Sequence, residues 1–200
     1  MARRWTAALG FVACGLLAAC HHASDPSPLC FVEPPEGTSQ AALYRVFGPG
    51  TCDPPGNSLG GTSVTSSPIA AGSFAATIRF KVRGAKASTK YYVQRAAEFA
   101  IPPRPSSADG ICQRADGLPP WTPADGPAVP AFITFPLPYT DQGDKKSLTT
   151  DAAGDGSLEF QYESPQIPTG ATFDVEMRLV DDETNPTSEL RSGCMKVLVQ

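Results

Sequence analysis

The sequence predicts an all-β protein built from antiparallel strands that pack face to face. Three observations lead there. In SFAATIRFKVRG, Phe74, Ala76, Ile78, Phe80 and Val82 alternate with Thr77, Arg79, Lys81 and Arg83, giving one apolar and one solvated face. With 21 prolines and 18 glycines in 200 residues, long helices are disfavoured and turns are plentiful. Half-buried alternation of this kind belongs to antiparallel sheets with one face on a core and the other in water.

The chain opens with Met1-Ala2-Arg3-Arg4 and then runs apolar from Trp5 to Ala19, the layout of a secretion signal. A membrane-spanning helix needs about 20 mostly apolar residues, and this run is shorter and rich in Ala and Gly. A soluble core helix would need an amphipathic pattern, which the basic start and the Pro-rich segment behind it do not supply. The run ends Leu17-Ala18-Ala19-Cys20, which resembles the lipobox of bacterial lipoproteins. That resemblance implies cleavage before Cys20, a diacylglycerol on its thiol, and acylation of the new amino group. At about 0.8 kcal/mol per buried methylene, one acyl chain holds reversibly and two or three hold almost permanently. The expected partner is therefore a membrane, reached through lipid. In this family an Asp after the cysteine favours the inner membrane of a Gram-negative cell; His21 stands there, which points to the outer membrane in such a host. Cys20, His21 and His22 also spell three metal-binding residue types in a row. Neighbours in an extended chain point opposite ways, so polar linker is the better reading of the histidines.

Residues 20–72 read as an arm. SDPSP, VEPPEG, GPGTCDPPGN and LGGTSVTSSP are clusters of turn and linker residues around one apolar island, AALYRVFG, which is a short strand or a helical turn. Gly60 to Ser67 looks like a flexible hinge. Setting aside Cys14 in the signal and Cys20 at the anchor leaves Cys30, Cys52, Cys112 and Cys194, an even number that suggests disulfides in an exported chain. Of three connectivities, Cys30–Cys52 and Cys112–Cys194 are preferred, because the first brackets a compact segment and the second staples a long loop to the last strand. Each closure stabilises by about 2–4 kcal/mol. A structural zinc site is the alternative, but no CxxC or CxxH spacing is present.

Residues 73–200 are expected to form the β-domain. After the strand at Ser73 come KYYVQRAAEFAI, PAFITFPL, SLEFQYE with Leu158, Phe160 and Tyr162 inward, TFDVEMRLV with Phe173, Val175, Met177 and Leu179 inward, and CMKVLVQ, about six strands in all. The stretch LTTDAAGDGSLEFQYESPQIPTGATFDVEMRLVDD, with its Thr150-Asp151-Ala152-Ala153-Gly154 turn before a strand, resembles the later part of an immunoglobulin-like or fibronectin-type sandwich. The resemblance covers about a quarter of the chain and implies a scaffold for binding or spacing; the Cys…Trp…Cys core pattern of true immunoglobulin domains is missing. The fold class expected is thus an antiparallel immunoglobulin-like β-sandwich preceded by a signal peptide (residues 1–19) and a Pro/Gly-rich arm.

Chemistry is sparse. A net charge of -4 and a pI near 5.1 give no basic footprint for nucleic acid. Gly56-Asn57-Ser58-Leu59-Gly60 matches G-x-S-x-G, but that elbow works only between a strand and a helix with a histidine in reach, and both histidines lie beside Cys20. Asp151 to Gly156 resembles a calcium loop, yet Ala153 and Tyr162 occupy positions that need oxygen ligands, so a hairpin turn is preferred. Asp181-Asp182-Glu183 with Asn185 is a second cation candidate, weighed against plain solvation. DGICQRADGLPPWTPADGPAVP is too long for an ordinary hairpin, and Trp121 between Pro120 and Pro123 is either a stacking face for a sugar or peptide or a plug over an open end. The expected function is a non-catalytic binding or structural module of the bacterial envelope, with an envelope protein or glycan as ligand and no cofactor. The alternatives are a carbohydrate- or calcium-binding module and an envelope hydrolase.

Overall fold

A computed structural model describes residues 39–48, 51–52, 57–67, 74–99, 107–116, 131–135, 144–164, 167 and 169–200. Among them the chain is all-β. The strands are β1 (Gln40–Gly48), β2 (Thr51–Cys52), β3 (Gly60–Ser67), β4 (Phe74–Val82), β5 (Lys90–Ala97), β6 (Ile133–Thr134), β7 (Ser147–Thr149), β8 (Gly156–Ser164), β9 (Thr172–Val180), β10 (Glu189–Ser192) and β11 (Met195–Leu198). One turn of helix, α1 (Gln113–Asp116), is the exception. The strands form one antiparallel sheet in the order β6-β5-β9-β10-β1-β3-β4-β8, with β7 also beside β5, β2 beside β1 and β11 beside β9.

The sheet curls so that its halves face each other across a shared core. Phe74 of β4 meets Phe173 of β9 edge to face, ring centroids 5.8 Å apart. At the two ends of the strand order, Phe135, just after β6, meets Phe160 and Tyr162 of β8 at 5.2 and 5.3 Å. Such edge-to-face pairs add to the area they bury. Alternation selects the core as expected: Phe74, Ala76, Ile78, Phe80 and Val82 of β4 are buried, as are Phe173, Val175, Met177 and Leu179 of β9. Phe160 and Tyr162 join them, with Leu158 partly covered. β4 and β8 pair over nine positions, from Phe74 opposite Ser164 to Val82 opposite Gly156.

The arm reading of residues 20–72 needs correction from Gln40 onwards. The island AALYRVFG is strand β1, in mid-sheet between β10 and β3. Gly60 to Ser67 is no hinge: it is β3, laddered to β1 on one side and along its whole length to β4 on the other. Its β-branched Thr62 and Val64 are buried. Its first glycine serves close approach rather than flexibility, because Gly60 sits at φ +145° and a Cβ there would lie 1.9 Å from the Lys81 carbonyl oxygen. The sheet also gains β7 and β10, short strands that periodicity alone does not mark.

The Thr150–Gly154 turn is present but does not make a hairpin. Gly154 N donates to Asp151 O, and the Asp151 carboxylate accepts from Ala153 N and Asp155 N. The strands it joins pair elsewhere, β7 with β5 and β8 with β4, so the turn carries the chain from one half of the sheet to the other.

Candidate functional site

The acidic loops, both candidates for cation binding, have their carboxylates engaged by the protein itself. Asp155 accepts from Gly84 N at 3.0 Å, tying the turn to the loop after β4. Asp181 accepts from Thr187 N, Ser188 N and the Lys86 ammonium, 2.9 Å away. Burial works against it, yet the hydrogen bonds from Thr187, Lys86 and Ser188 hold its carboxyl well below the usual range. Asp182 caps Thr184 N and Asn185 N, while Glu183 accepts from Thr134 Oγ1 at 2.7 Å and Lys145 Nζ at 2.6 Å. Among the described residues no three His, Cys, Asp or Glu side chains converge to hold a metal ion. Ser58 is exposed two residues before β3, so that a strand follows it and not the helix a nucleophile elbow needs.

Cys112 and Cys194 are joined, Cα atoms 5.6 Å apart across a separation of 82 residues, as the preferred connectivity requires. Cys20, Cys30 and Trp121 lie outside the described residues. So does the pairing of Cys30 with Cys52, of which only the Cys52 backbone, in β2, is described.

The densest chemistry lies where the alternating pattern leads one to expect a solvated surface. On β9 the residues between the core positions, Asp174 and Glu176, are buried too, and Val180 with them. Residues 107–116 lie across this outer face. Cys112 fixes them to Cys194, just before β11, which pairs with β9. Arg114 Nη1 donates to Ala97 O at 2.8 Å, Ser107 N to Glu98 O at 3.0 Å, and Asp174 N to Ser107 O at 2.8 Å. Two carboxyls beneath the segment have no exposed surface: Glu98, just past β5, and Asp174, both at 0%. Glu98 Oε1 accepts from Arg114 N at 2.6 Å, and Asp174 Oδ2 accepts from Gly110 N at 2.8 Å.

Burial pushes the Glu98 carboxyl from 4.5 up to about 7, against the pull of the Arg114 N–H and Ser107 hydroxyl and helped by the like charges of Asp174 and Asp109. Burial likewise lifts Asp174 from 3.8 to about 6; the Gly110 N–H and the Lys196 charge oppose the rise, and Asp109 adds to it.

Further along the same face the charges are paired. Arg191 contacts Glu189 at 2.7 Å and Glu176 at 3.4 Å, and Arg178 contacts Glu189 at 3.4 Å. Phe132 lies against both guanidiniums, 4.1 Å from Arg178 and 5.0 Å from Arg191. Arg178 Nε donates to Gln94 Oε1 at 2.7 Å and Gln94 Nε2 to Thr134 Oγ1 at 2.9 Å, linking β9 through β5 to β6. Such a network is worth most when every member is satisfied. Sequence reasoning misses Glu98 and Asp174 because charged residues at alternate strand positions look solvated, and Arg114 because it belongs to a long loop. The Cys112–Cys194 pairing is the signal that finds them, since it drapes the long loop over the strand next to β11.

Comparison with protein-family models, with curated proteins and with solved structures finds no match.

Proposed function

We propose that this protein is a lipid-anchored lipoprotein of the bacterial envelope whose β-domain is a non-catalytic binding or structural module. The observation that carries the reading is Leu17-Ala18-Ala19-Cys20 closing a signal-like run behind Arg3-Arg4. The Cys112–Cys194 disulfide supports it, because such bonds form and persist in oxidising compartments. In the finer reading the domain is an immunoglobulin-like sandwich, a scaffold that binds or spaces, and the anchor is in the outer membrane where the host has one. The internal hydrogen bonds of the Asp151 and Asp181–Glu183 loops weigh against calcium binding there. For a glycan or an envelope protein, the contact we assign is Trp121, which two flanking prolines would present at little entropic cost.

Intact mass of the mature protein from a bacterial membrane fraction tests the anchor. Acylation at an amino terminus corresponding to residue 20, abolished by Cys20→Ser, is the expected result. A soluble, unacylated product beginning elsewhere would overturn the proposal.

A further inference from the structure

Residues 107–116 are held at two points by the carboxyls they cover. Gly110 N donates to Asp174 near the start of the segment and Arg114 N donates to Glu98 near its end. Each carboxyl uses one oxygen for this. The other, Glu98 Oε2 and Asp174 Oδ1, is buried and meets no hydrogen-bond donor among the described residues. An ionised carboxylate placed so is disfavoured twice, by lost water and by a lone pair without a donor. A neutral carboxyl keeps the flap hydrogen bond and carries its own proton on the second oxygen. An acceptor for that proton stands beside Asp174 in the Asp109 carboxyl, whereas the Ser107 hydroxyl beside Glu98 favours the ionised form and is outweighed by burial.

The charges facing the pair come from four elements. The segment itself brings Asp109, Arg114 and Asp116; β9 adds Glu176, next along from Asp174; β11 adds Lys196, opposite Asp174 in register. β10 adds Arg191, which engages Glu176 and Glu189 and draws on Asp116. Of these charges Lys196 favours ionisation of Asp174, as the Gly110 N–H does, while Asp109 opposes it; Asp174 and Asp109 in turn oppose ionisation of Glu98.

We propose that residues 107–116 form a proton-operated clasp: with Glu98 and Asp174 neutral the segment is held down on β5 and β9, and when both ionise it lifts, pivoting on the Cys112–Cys194 disulfide. Because burial raises both carboxyls, to about 7 and about 6, closing the clasp takes up protons. The closed form is therefore most stable in acid and weakens as pH climbs through that range. Lifting bares Glu98, Asp174 and the Lys196 side of β11, a charged surface whose availability follows pH.

Amide hydrogen exchange on the full chain, corrected for intrinsic rates, reads the clasp directly. Each unit of raised pKa is about a factor of ten in the closing equilibrium, so protection of Gly110 and Arg114 should fall at least about tenfold between about pH 5 and about pH 8. Over the same interval β4 and β8 should stay far better protected than the segment, losing no more protection than the global stability loses. In the Glu98→Gln, Asp174→Asn double variant, whose amides mimic neutral carboxyls, protection of the segment should stay at its acid value throughout. Wild-type protection that ignores pH, or a double variant that keeps the wild-type dependence, overturns the clasp. Should that variant fail to fold, the carboxyl carbon resonances of Glu98 and Asp174 in the wild-type chain decide. Midpoints near those raised values support the clasp, and midpoints in the ordinary carboxylate range overturn it.

Discussion

The two halves of the curled sheet write their outer faces in the same alternating pattern and put them in opposite surroundings. On β4 and β8, Arg79 lies opposite Glu159 and Thr77 opposite Gln161, and both pairs face solvent. The Arg79–Glu159 contact is short, 2.7 Å, yet both side chains are about half exposed, at 49% and 57%. On β9 and β10, Arg178, Arg191, Glu176 and Glu189 form an equivalent-looking set, but the segment around Cys112 and the ring of Phe132 cover it. Alternation thus says which side chains leave the core and nothing about whether they reach water. What decides is where the long connection between β5 and β7 is laid down.

The disulfide that lays it down is the place to break the contrast hardest. Replacing Cys112 and Cys194 together by serine should cost about 4 kcal/mol, the chain-entropy estimate for a loop of that span, read as a lowered urea midpoint. The covered half should respond most in hydrogen exchange. Next in size is Arg191→Ala, which strips Glu176 and Glu189 of their shared cation on a covered face and should cost on the order of 3 kcal/mol. An effect below that of an exposed pair would mean the face is wetter than the geometry indicates.

The covered half should also govern how stability depends on pH. Asp151, Asp182, Asp181 and Glu183 have depressed pKa values, so their stabilisation is present above their ordinary values and fades only as pH falls below about 4. Glu98 and Asp174 are raised, so theirs is complete in acid and is lost as pH rises towards about 7. The unfolding free energy from urea titration should therefore peak on the acid side of neutrality and drop by on the order of 2 kcal/mol by about pH 8. A peak at or above neutrality would count against the burial of the pair. Last and smallest, Arg79→Ala on the open half should shift stability by less than about 1 kcal/mol, and added salt should erase even that.

Strands β4, β8 and β9 are legible from sequence because their apolar residues recur with period two over nine positions. β3 is not: GGTSVTSS has the composition of a linker, and only its neighbours on both sides turn Thr62 and Val64 into core residues. The site is legible in one part. Cysteine parity points to Cys112–Cys194, whereas Glu98 and Asp174 carry no local mark, because their burial depends on a segment that arrives from elsewhere in the chain.

The position of β1 bears on the order in which the chain acquires its shape. Its sheet neighbours are β2 and β3, which come next in the chain, and β10, with Leu43 opposite Ser192. A ribosome releases β1, β3 and β4 early, and they are free to associate as a meander. The outer edge of that meander is β1 itself, with Leu43 and Tyr44, both buried in the finished protein, waiting on a partner almost 150 residues away. An unpaired edge of that kind is a template for pairing with another chain. Synthesis and delivery of the stretch that carries β10 and β11 thus decide whether the nascent sheet closes on itself or on a neighbour, and a chain cut short before Glu189 should aggregate rather than merely lose stability.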